Sequence, residues 1–242
     1  LSVFGFETGL QPHLECGALH RRAVFLLVVH CCFGDLLVLP DRDPHRAEEA
    51  GGLRIPLPFS ALDHPDVGAG QALGFGHERK YQEDGGPTFA DCYRLVQDVS
   101  TDPANDVQYL LRWQIFNVLA GNSDGHAKNL SLLHQANGEI RLAPFYDLVC
   151  TRAIERIDYH LAFSVGDERN PGIITLKHWD PLARQCGLRP QFLQGQVQDI
   201  AKSLLENLQP VRAKFENLYG DYAALQRIEQ VVTKQCQRTI SE

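Results

Sequence analysis

Methionine is absent from all 242 residues and the chain opens at Leu1, so the expectation is that a leading part has been lost or that this start is not a natural one. Lysine is absent until Lys80, although the other charged residues are spread along the sequence, and the composition shifts near residues 70–80. An excess of positive charge is lacking as well. With 23 Lys and Arg against 30 Asp and Glu the net charge is −7, which gives no overall footprint for a nucleic-acid backbone, and direct nucleic-acid binding is not expected. The longest apolar stretch, residues 23–33, is broken by His30 and falls short of the roughly 18–20 residues a membrane helix needs. Arg21 and Arg22 precede it in the manner of a secretory signal, but no small-residue cleavage site follows. No membrane association is expected, and a cytoplasmic location is the default. Paired C-x-x-C motifs are missing too. The seven cysteines (Cys16, Cys31, Cys32, Cys92, Cys150, Cys186, Cys236) are odd in number and scattered, which favours reduced thiols over a zinc ribbon or a disulfide framework.

What is present suits a globular protein: 44% hydrophobic and 22% charged residues in a length fit for one large domain or two small ones. The first part holds two β-like runs, residues 24–32 and 36–39, around Phe33-Gly34-Asp35, which read as a hairpin, and residues 40–65 read as a loose Pro-rich connection. After Lys80 the pattern turns helical. Gly85-Gly86-Pro87 is a turn and Thr88 an N-cap for a helix over 89–99. Asp102 caps a second helix with Pro103 at its first position, where a missing N–H costs nothing. The second half of that helix is apolar nearly all round, which predicts a buried central element ending at Gly121. Residues 129–134 and 139–143 flank Gln135-Ala136-Asn137-Gly138, a hairpin signal. Further helices are expected at 176–185 behind Thr175, 190–208 behind Arg189, and 222–237. Tyr81 and Phe89 read as core residues beside a turn, and His178-Trp179 as a helix start with its core contact.

The polar cluster Gly121-Asn122-Ser123-Asp124-Gly125-His126-Ala127-Lys128-Asn129 lies between the buried helix and a strand, and a catalytic loop needs such support on both sides. Asp124 and Asn129 form D-x-x-x-x-N, the spacing at which a kinase catalytic loop places its base and its metal-binding amide. Eighteen residues further, across the hairpin, Asp147 stands in Ala143-Pro144-Phe145-Tyr146-Asp147-Leu148. Mg²⁺ takes oxygen ligands, usually one or two protein groups plus nucleotide phosphates, so Asn129 with Asp147 is a sensible pair. Asp124, His126 and Asp147 also admit a metal-hydrolase reading with Zn²⁺ or Mn²⁺, although no second histidine lies at ligand spacing. Simpler roles remain open: Asp124 as a turn residue, His126 as a partner orienting Asp124, Lys128 as a solvated charge, Asn122 as a cap of the loop.

Taken together, the 121–129 motif and Leu142-Ala143-Pro144-Phe145-Tyr146-Asp147-Leu148 resemble the C-terminal lobe of HipA-like serine/threonine kinases, the toxins of bacterial toxin–antitoxin modules. Glu78-Arg79-Lys80-Tyr81 with Asp84-Gly85-Gly86-Pro87 upstream, and His178-Trp179 with Gly187-Leu188 downstream, extend the likeness over roughly residues 71–208. The resemblance implies a mainly α, protein-kinase-like C-terminal lobe with one embedded β-hairpin over 71–242, preceded by a poorly defined β or loop segment over 1–70. It implies Asp124 as the base facing a substrate hydroxyl, Asn129 and Asp147 as the residues holding Mg²⁺ on ATP, His126 reaching the γ-phosphate, and Lys128 as a further catalytic contact. Implied partners are a protein Ser or Thr substrate, a HipB-type DNA-binding antitoxin and a separate N-terminal lobe. Such a kinase also needs a glycine loop and a phosphate-pairing lysine ahead of this lobe. Residues 1–79 hold no lysine, and no convincing strand precedes Gly68, Gly70, Gly74 and Gly76. The expectation is therefore a truncated kinase, with a catalytically inactive lobe that binds an antitoxin or a separately encoded N-terminal lobe as the alternative.

Overall fold

The computed structural model describes residues 67–76, 79 and 81–241. The expected hairpin within 24–39, the connection over 40–65, and Cys16, Cys31 and Cys32 lie outside the described residues. Within them the chain is mainly helical with one small antiparallel sheet, as the resemblance implied. Strand β1 (Val67–Gly68) pairs with β2 (Ser131–His134), which pairs with β3 (Ile140–Leu142). The β2–β3 pair is the expected hairpin, with Leu132 opposite Leu142 and His134 opposite Ile140. Its first strand starts later than the sequence suggests, because Asn129 belongs to a tight turn, Ala127–Asn129. The third strand, β1, carries too few residues to show a pattern, and it brings the sheet forward to residue 67. A single turn of helix follows it, α1 (Ala69–Ala72).

Helix α2 (Phe89–Val99) begins as expected. The Thr88 hydroxyl accepts from the Asp91 N–H at 3.1 Å while the Asp91 carboxylate accepts from the Thr88 N–H at 2.9 Å, so two orphan donors are satisfied reciprocally. Phe89, Cys92, Tyr93 and Val96 form its buried face at the 3.6-residue period. Helix α3 (Pro103–Ala120) is buried from Leu110 onwards at every residue but Arg112, which makes it the pillar of the core. Asp102 stands at its N-cap, but its side chain accepts from the Asn105 amide at 2.8 Å instead of capping the backbone. Thr175 also caps differently from the expectation. It opens a 3₁₀ turn, Leu176–His178, whose His178 Nδ1 accepts from the Thr175 N–H at 3.0 Å, and α4 (Trp179–Gln185) starts only after it, with Trp179 buried.

The next helix was expected to end at Leu208, two residues before Pro210. Helix α5 (Pro190–Tyr219) runs through that proline. Proline there forgoes the bond to the Glu206 carbonyl, but Leu204, Leu208, Val211 and Phe215 continue one buried stripe, and tertiary packing overrides the local cost. The short Gly220–Tyr222 connection leads to α6 (Ala223–Ile240), which packs on α5 through Leu225, Ile228 and Val232. Arg212 of α5 is tied to Glu229 of α6 and to Glu216. Trp113 of α3 stacks on Phe145 at 5.7 Å between centroids and meets Phe163 edge-on at 6.2 Å, where Phe89 also arrives. This aromatic cluster holds the chain beyond the hairpin against α3.

Asp106, buried in α3, fastens the hairpin. Its carboxylate accepts from the Ser100 hydroxyl at 2.6 Å, the Arg141 guanidinium at 2.9 and 3.1 Å, and the Leu142 N–H at 2.9 Å. Removing one partner of such a pair leaves donors without acceptors, so Asp106→Ala should lower unfolding stability by about 3 kcal/mol or more, read from urea denaturation. The four described cysteines form no disulfide and are buried, and burial pushes the Cys92, Cys150 and Cys186 thiols up to about 12. A thiol whose folded value lies above its unfolded one stabilises the fold fully below the unfolded value and loses that contribution as pH rises towards the folded value. Urea midpoints should therefore fall between about pH 9 and 12, with a shallower fall in Cys92→Ala. Alkylation of these cysteines, mapped by peptide, should require unfolding.

Candidate active site

Gly121 ends α3 in the left-handed region at φ 75°, and the N–H groups of Gly121 and Asn122 both return to the Asn117 carbonyl. A Cβ on Gly121 would also lie 2.7 Å from the Val231 side chain, so glycine is required by conformation and by space. The loop that follows is wired by a single buried amide. Asn122 Nδ2 donates to Asn117 Oδ1 at 3.0 Å and towards the Asp147 carbonyl at 3.4 Å, while Asn122 Oδ1 accepts from the Asp124 N–H at 3.2 Å. Ser123 pins the other side. Its N–H donates to Thr151 Oγ1 at 2.8 Å and its hydroxyl to the Asp158 carbonyl at 3.0 Å, and its carbonyl accepts from the Ala162 N–H at 2.9 Å.

Asp124 presents a half-exposed carboxylate. Tyr81 donates its hydroxyl to Asp124 Oδ1 at 2.8 Å, and His126 Nε2 lies 3.8 Å from the same oxygen. The Tyr81 and His126 rings meet edge to face at 5.6 Å. His126 is 7% exposed, so most of its ring is covered by protein. The His126 backbone N–H donates to Asn129 Oδ1 at 2.9 Å, which fixes the Asn129 amide and occupies one of the two lone-pair directions on that oxygen. Lys128 is exposed, and its carbonyl accepts from the Tyr146 hydroxyl at 2.6 Å.

Asp147 owes its position to its neighbours. Phe145 and Leu148 are buried, Phe145 against Trp113, and the two residues between them are turned outward. Asp147 adopts φ 56°, the left-handed region that L-residues other than Asn and Asp rarely enter. Two links join this segment to the loop, Asn122 to the Asp147 carbonyl and Tyr146 to the Lys128 carbonyl. Asp124, His126, Lys128, Asn129 and Asp147 thus lie on two adjoining segments. Among the described residues no three His, Cys, Asp or Glu side chains are grouped as a metal cage, so the Asp124, His126 and Asp147 set does not form the site a zinc hydrolase needs.

Two partners escaped the sequence reading. Tyr81 was expected in the core, yet it is half-buried and spends its hydroxyl on Asp124. Its place beside Asp84-Gly85-Gly86-Pro87, in a motif that carried the resemblance, was the available signal. Asn117 is an amide in the apolar second half of α3, and a polar residue in such a run marks a buried polar network.

With this geometry in view, comparison with known proteins is decisive on family. The HipA-like C-terminal domain model matches residues 65–208. The chain belongs to that family. The protein named "Putative kinase Y4mE" from Sinorhizobium fredii is 35% identical over 155 residues, covering 64% of this chain and 37% of the relative. The serine/threonine-protein kinase toxin HipA of Shewanella oneidensis is 29% identical over 181 residues, covering 70% of this chain and 41% of its own length. A chain in the solved Shewanella oneidensis complex of HipA, HipB and operator DNA shares the fold at a TM-score of 0.67 and 24% identity, covering 78% of this chain and 47% of its own. This HipA-like chain therefore spans less than half the length of these relatives.

The geometry makes Gly125 a sensitive position. A Cβ there would lie 2.6 Å from Asn117 Nδ2, and the amide cannot yield without losing Asn122. Gly125→Ala should cost about 1–3 kcal/mol, seen as a lowered thermal midpoint, with Gly138→Ala in the hairpin turn as the comparison for a purely conformational cost.

Proposed function

We propose that this HipA-like lobe is the C-terminal part of a kinase and supplies the base and the metal-holding residues for transfer of the γ-phosphoryl group of ATP to a serine or threonine hydroxyl of a protein, in a toxin–antitoxin setting. The observation that carries the reading is the Asn122 amide, which holds the Asp124 backbone from one end and reaches the Asp147 carbonyl from the other. Two carboxylates on adjoining segments are thereby indexed to one another. That is what a base and a metal carboxylate need when catalysis rests on positioning.

In this reading Asp124 accepts the proton of the attacking hydroxyl, and Tyr81 and His126 fix its orientation through Oδ1. The buried His126 suits orientation better than a reach to phosphate, and the exposed Lys128 takes the phosphate-facing role. Asn129 and Asp147 offer an amide oxygen and a carboxylate, hard donors of the kind Mg²⁺ takes together with phosphates, and they are the residues that would hold it. The bound nucleotide and metal supply the transferable group and neutralise charge. A HipB-type antitoxin is the implied regulatory partner, since the structural relative is part of a complex with HipB.

The lysine-free stretch 1–79 favours a second reading, a lobe that acts only with a separately supplied N-terminal lobe or binds without catalysing. Radiolabel transfer to a Ser-containing protein separates the cases. The chain alone should transfer below detection, because the sequence of residues 1–79 offers no phosphate lysine and no recognisable glycine-loop motif, elements whose loss costs on the order of 10²–10³ in rate each. Nucleotide binding should be weak, Mg²⁺-dependent and lost in Asp147→Asn. Adding an N-terminal lobe should restore transfer, Asp124→Ala should reduce it at least about 10²-fold, and Tyr81→Phe about tenfold. Restored transfer that survives Asp124→Ala would sink the assignment of the base.

A further inference from the structure

On the face of the lobe where α6 meets the Thr151–Ala153 turn, a groove of about 300 Å³ is lined by Arg152, Arg227, Lys234, Gln235 and Arg238. Four cations converge there on a protein of net charge −7. The convergence follows from the helix period: 227, 231, 234 and 238 stand at i, i+4, i+7 and i+11, one stripe of α6, and Arg152 meets it from the turn. Glu155 is the carboxylate that reaches this set, 3.7 Å from Arg227 and strongly exposed. Arg152 donates to Gln235 Oε1 at 3.1 Å, so of the two side-chain amides lining the groove, Gln230 and Gln235, the oxygen of the latter is already engaged by a cation of the set.

The donors outnumber the acceptors. Gln235 is 2% exposed, and its Nε2 has no hydrogen-bond partner among the described residues, nor has the buried Nη1 of Arg238. Orphaned donors on buried side chains are costly. Like charges crowd as well: burial, and after it the charge of Arg238, pull Arg152 down from the ordinary arginine value. A cation stripe that served only solubility would point its heads into water, and one that served only the fold would carry its own carboxylates. We propose that this groove is a binding site for a small phosphorylated anion, with Arg152, Lys234 and Arg238 contacting the phosphate oxygens and Gln235 supplying a neutral donor. Guanidinium forks match phosphate geometry, and the volume is at the small end of ligand clefts, room for a phosphate or diphosphate group instead of a polymer. The site is separate from Asn129 and Asp147 and needs no metal. It adjoins the Gly121 turn, whose carbonyl accepts from the Arg152 N–H at 3.1 Å.

The test is titration of pyrophosphate with the full 242-residue chain in EDTA at constant ionic strength, followed by ³¹P line broadening and calorimetry. EDTA removes any contribution from a metal-dependent nucleotide site. Saturable one-to-one binding is expected, tighter for pyrophosphate than for orthophosphate and weakened about tenfold by Arg238→Gln and by the exposed Lys234→Gln. Arg94→Gln on α2 should leave it unchanged. Adenosine monophosphate, run in parallel, tells a nucleotide ligand from a free phosphate by which binds more tightly. Absence of saturation, binding unmoved by Lys234→Gln or Arg238→Gln in variants with native circular dichroism, or binding confined to a single-stranded oligonucleotide with steep salt dependence would each overturn the proposal.

Discussion

One carboxamide organises this lobe. Asn122 lies at the point where the buried helix α3 ends, and its side chain closes hydrogen bonds to Asn117 behind it, Asp124 ahead of it and Asp147 across from it. In a low-dielectric interior such bonds are strong and an unmade one is costly, so the three segments have few ways to move independently. Asp124 and Asp147 need not touch in order to be mutually placed. Helix α3 supplies rigidity, Gly121 the reversal, and Gly125 the room for Asn117.

A second layer of support is apolar. Trp113, Phe145, Phe163 and Phe89 bring α2, α3 and the segment after the hairpin into one aromatic cluster, while Asp106 clamps β3 from the other side with both carboxylate oxygens engaged. The polar loop and the outward-facing Tyr146 and Asp147 thus lie over packed material on both flanks. This division is usual where chemistry depends on alignment: irregular backbone carries the groups, and regular elements deny it freedom.

Much of this was legible in the sequence because local chemistry and global fold agree. Thr88 with Asp91, Pro103 at a first helical position, the apolar run to Ala120 and the Asn-Gly turn each have one sensible conformation, and the structure adopts it. The misreadings occur where tertiary packing outvotes a local rule. Pro210 signals a stop, but the stripe through Val211 and Phe215 carries α5 on to Tyr219. Two residues of β1 hold no periodicity, and their pairing is decided by β2. Tyr81 reads as apolar by composition, and only the distance of 2.8 Å to Asp124 exposes the use of its hydroxyl. The motif residues 121–129 and 143–148 marked two segments that the structure joins through Asn122 and Tyr146, whereas the surroundings of His126 and Asn129 depend on burial and on which donor reaches which oxygen.

The backbone of Asp147 carries a consequence for the history of such genes. A residue other than glycine held at φ 56° stores on the order of 1 kcal/mol that glycine at the same position would release, and the genetic code places glycine a single base change from aspartate. Where the carboxylate is not needed, glycine is therefore a readily reached replacement at this codon, because it adopts this backbone without the steric cost. Purifying selection on the carboxylate itself is what keeps aspartate there. In descendants of this gene, the identity of the residue at position 147 would accordingly record whether the lineage still depends on what the carboxylate does or retains the lobe merely as a scaffold.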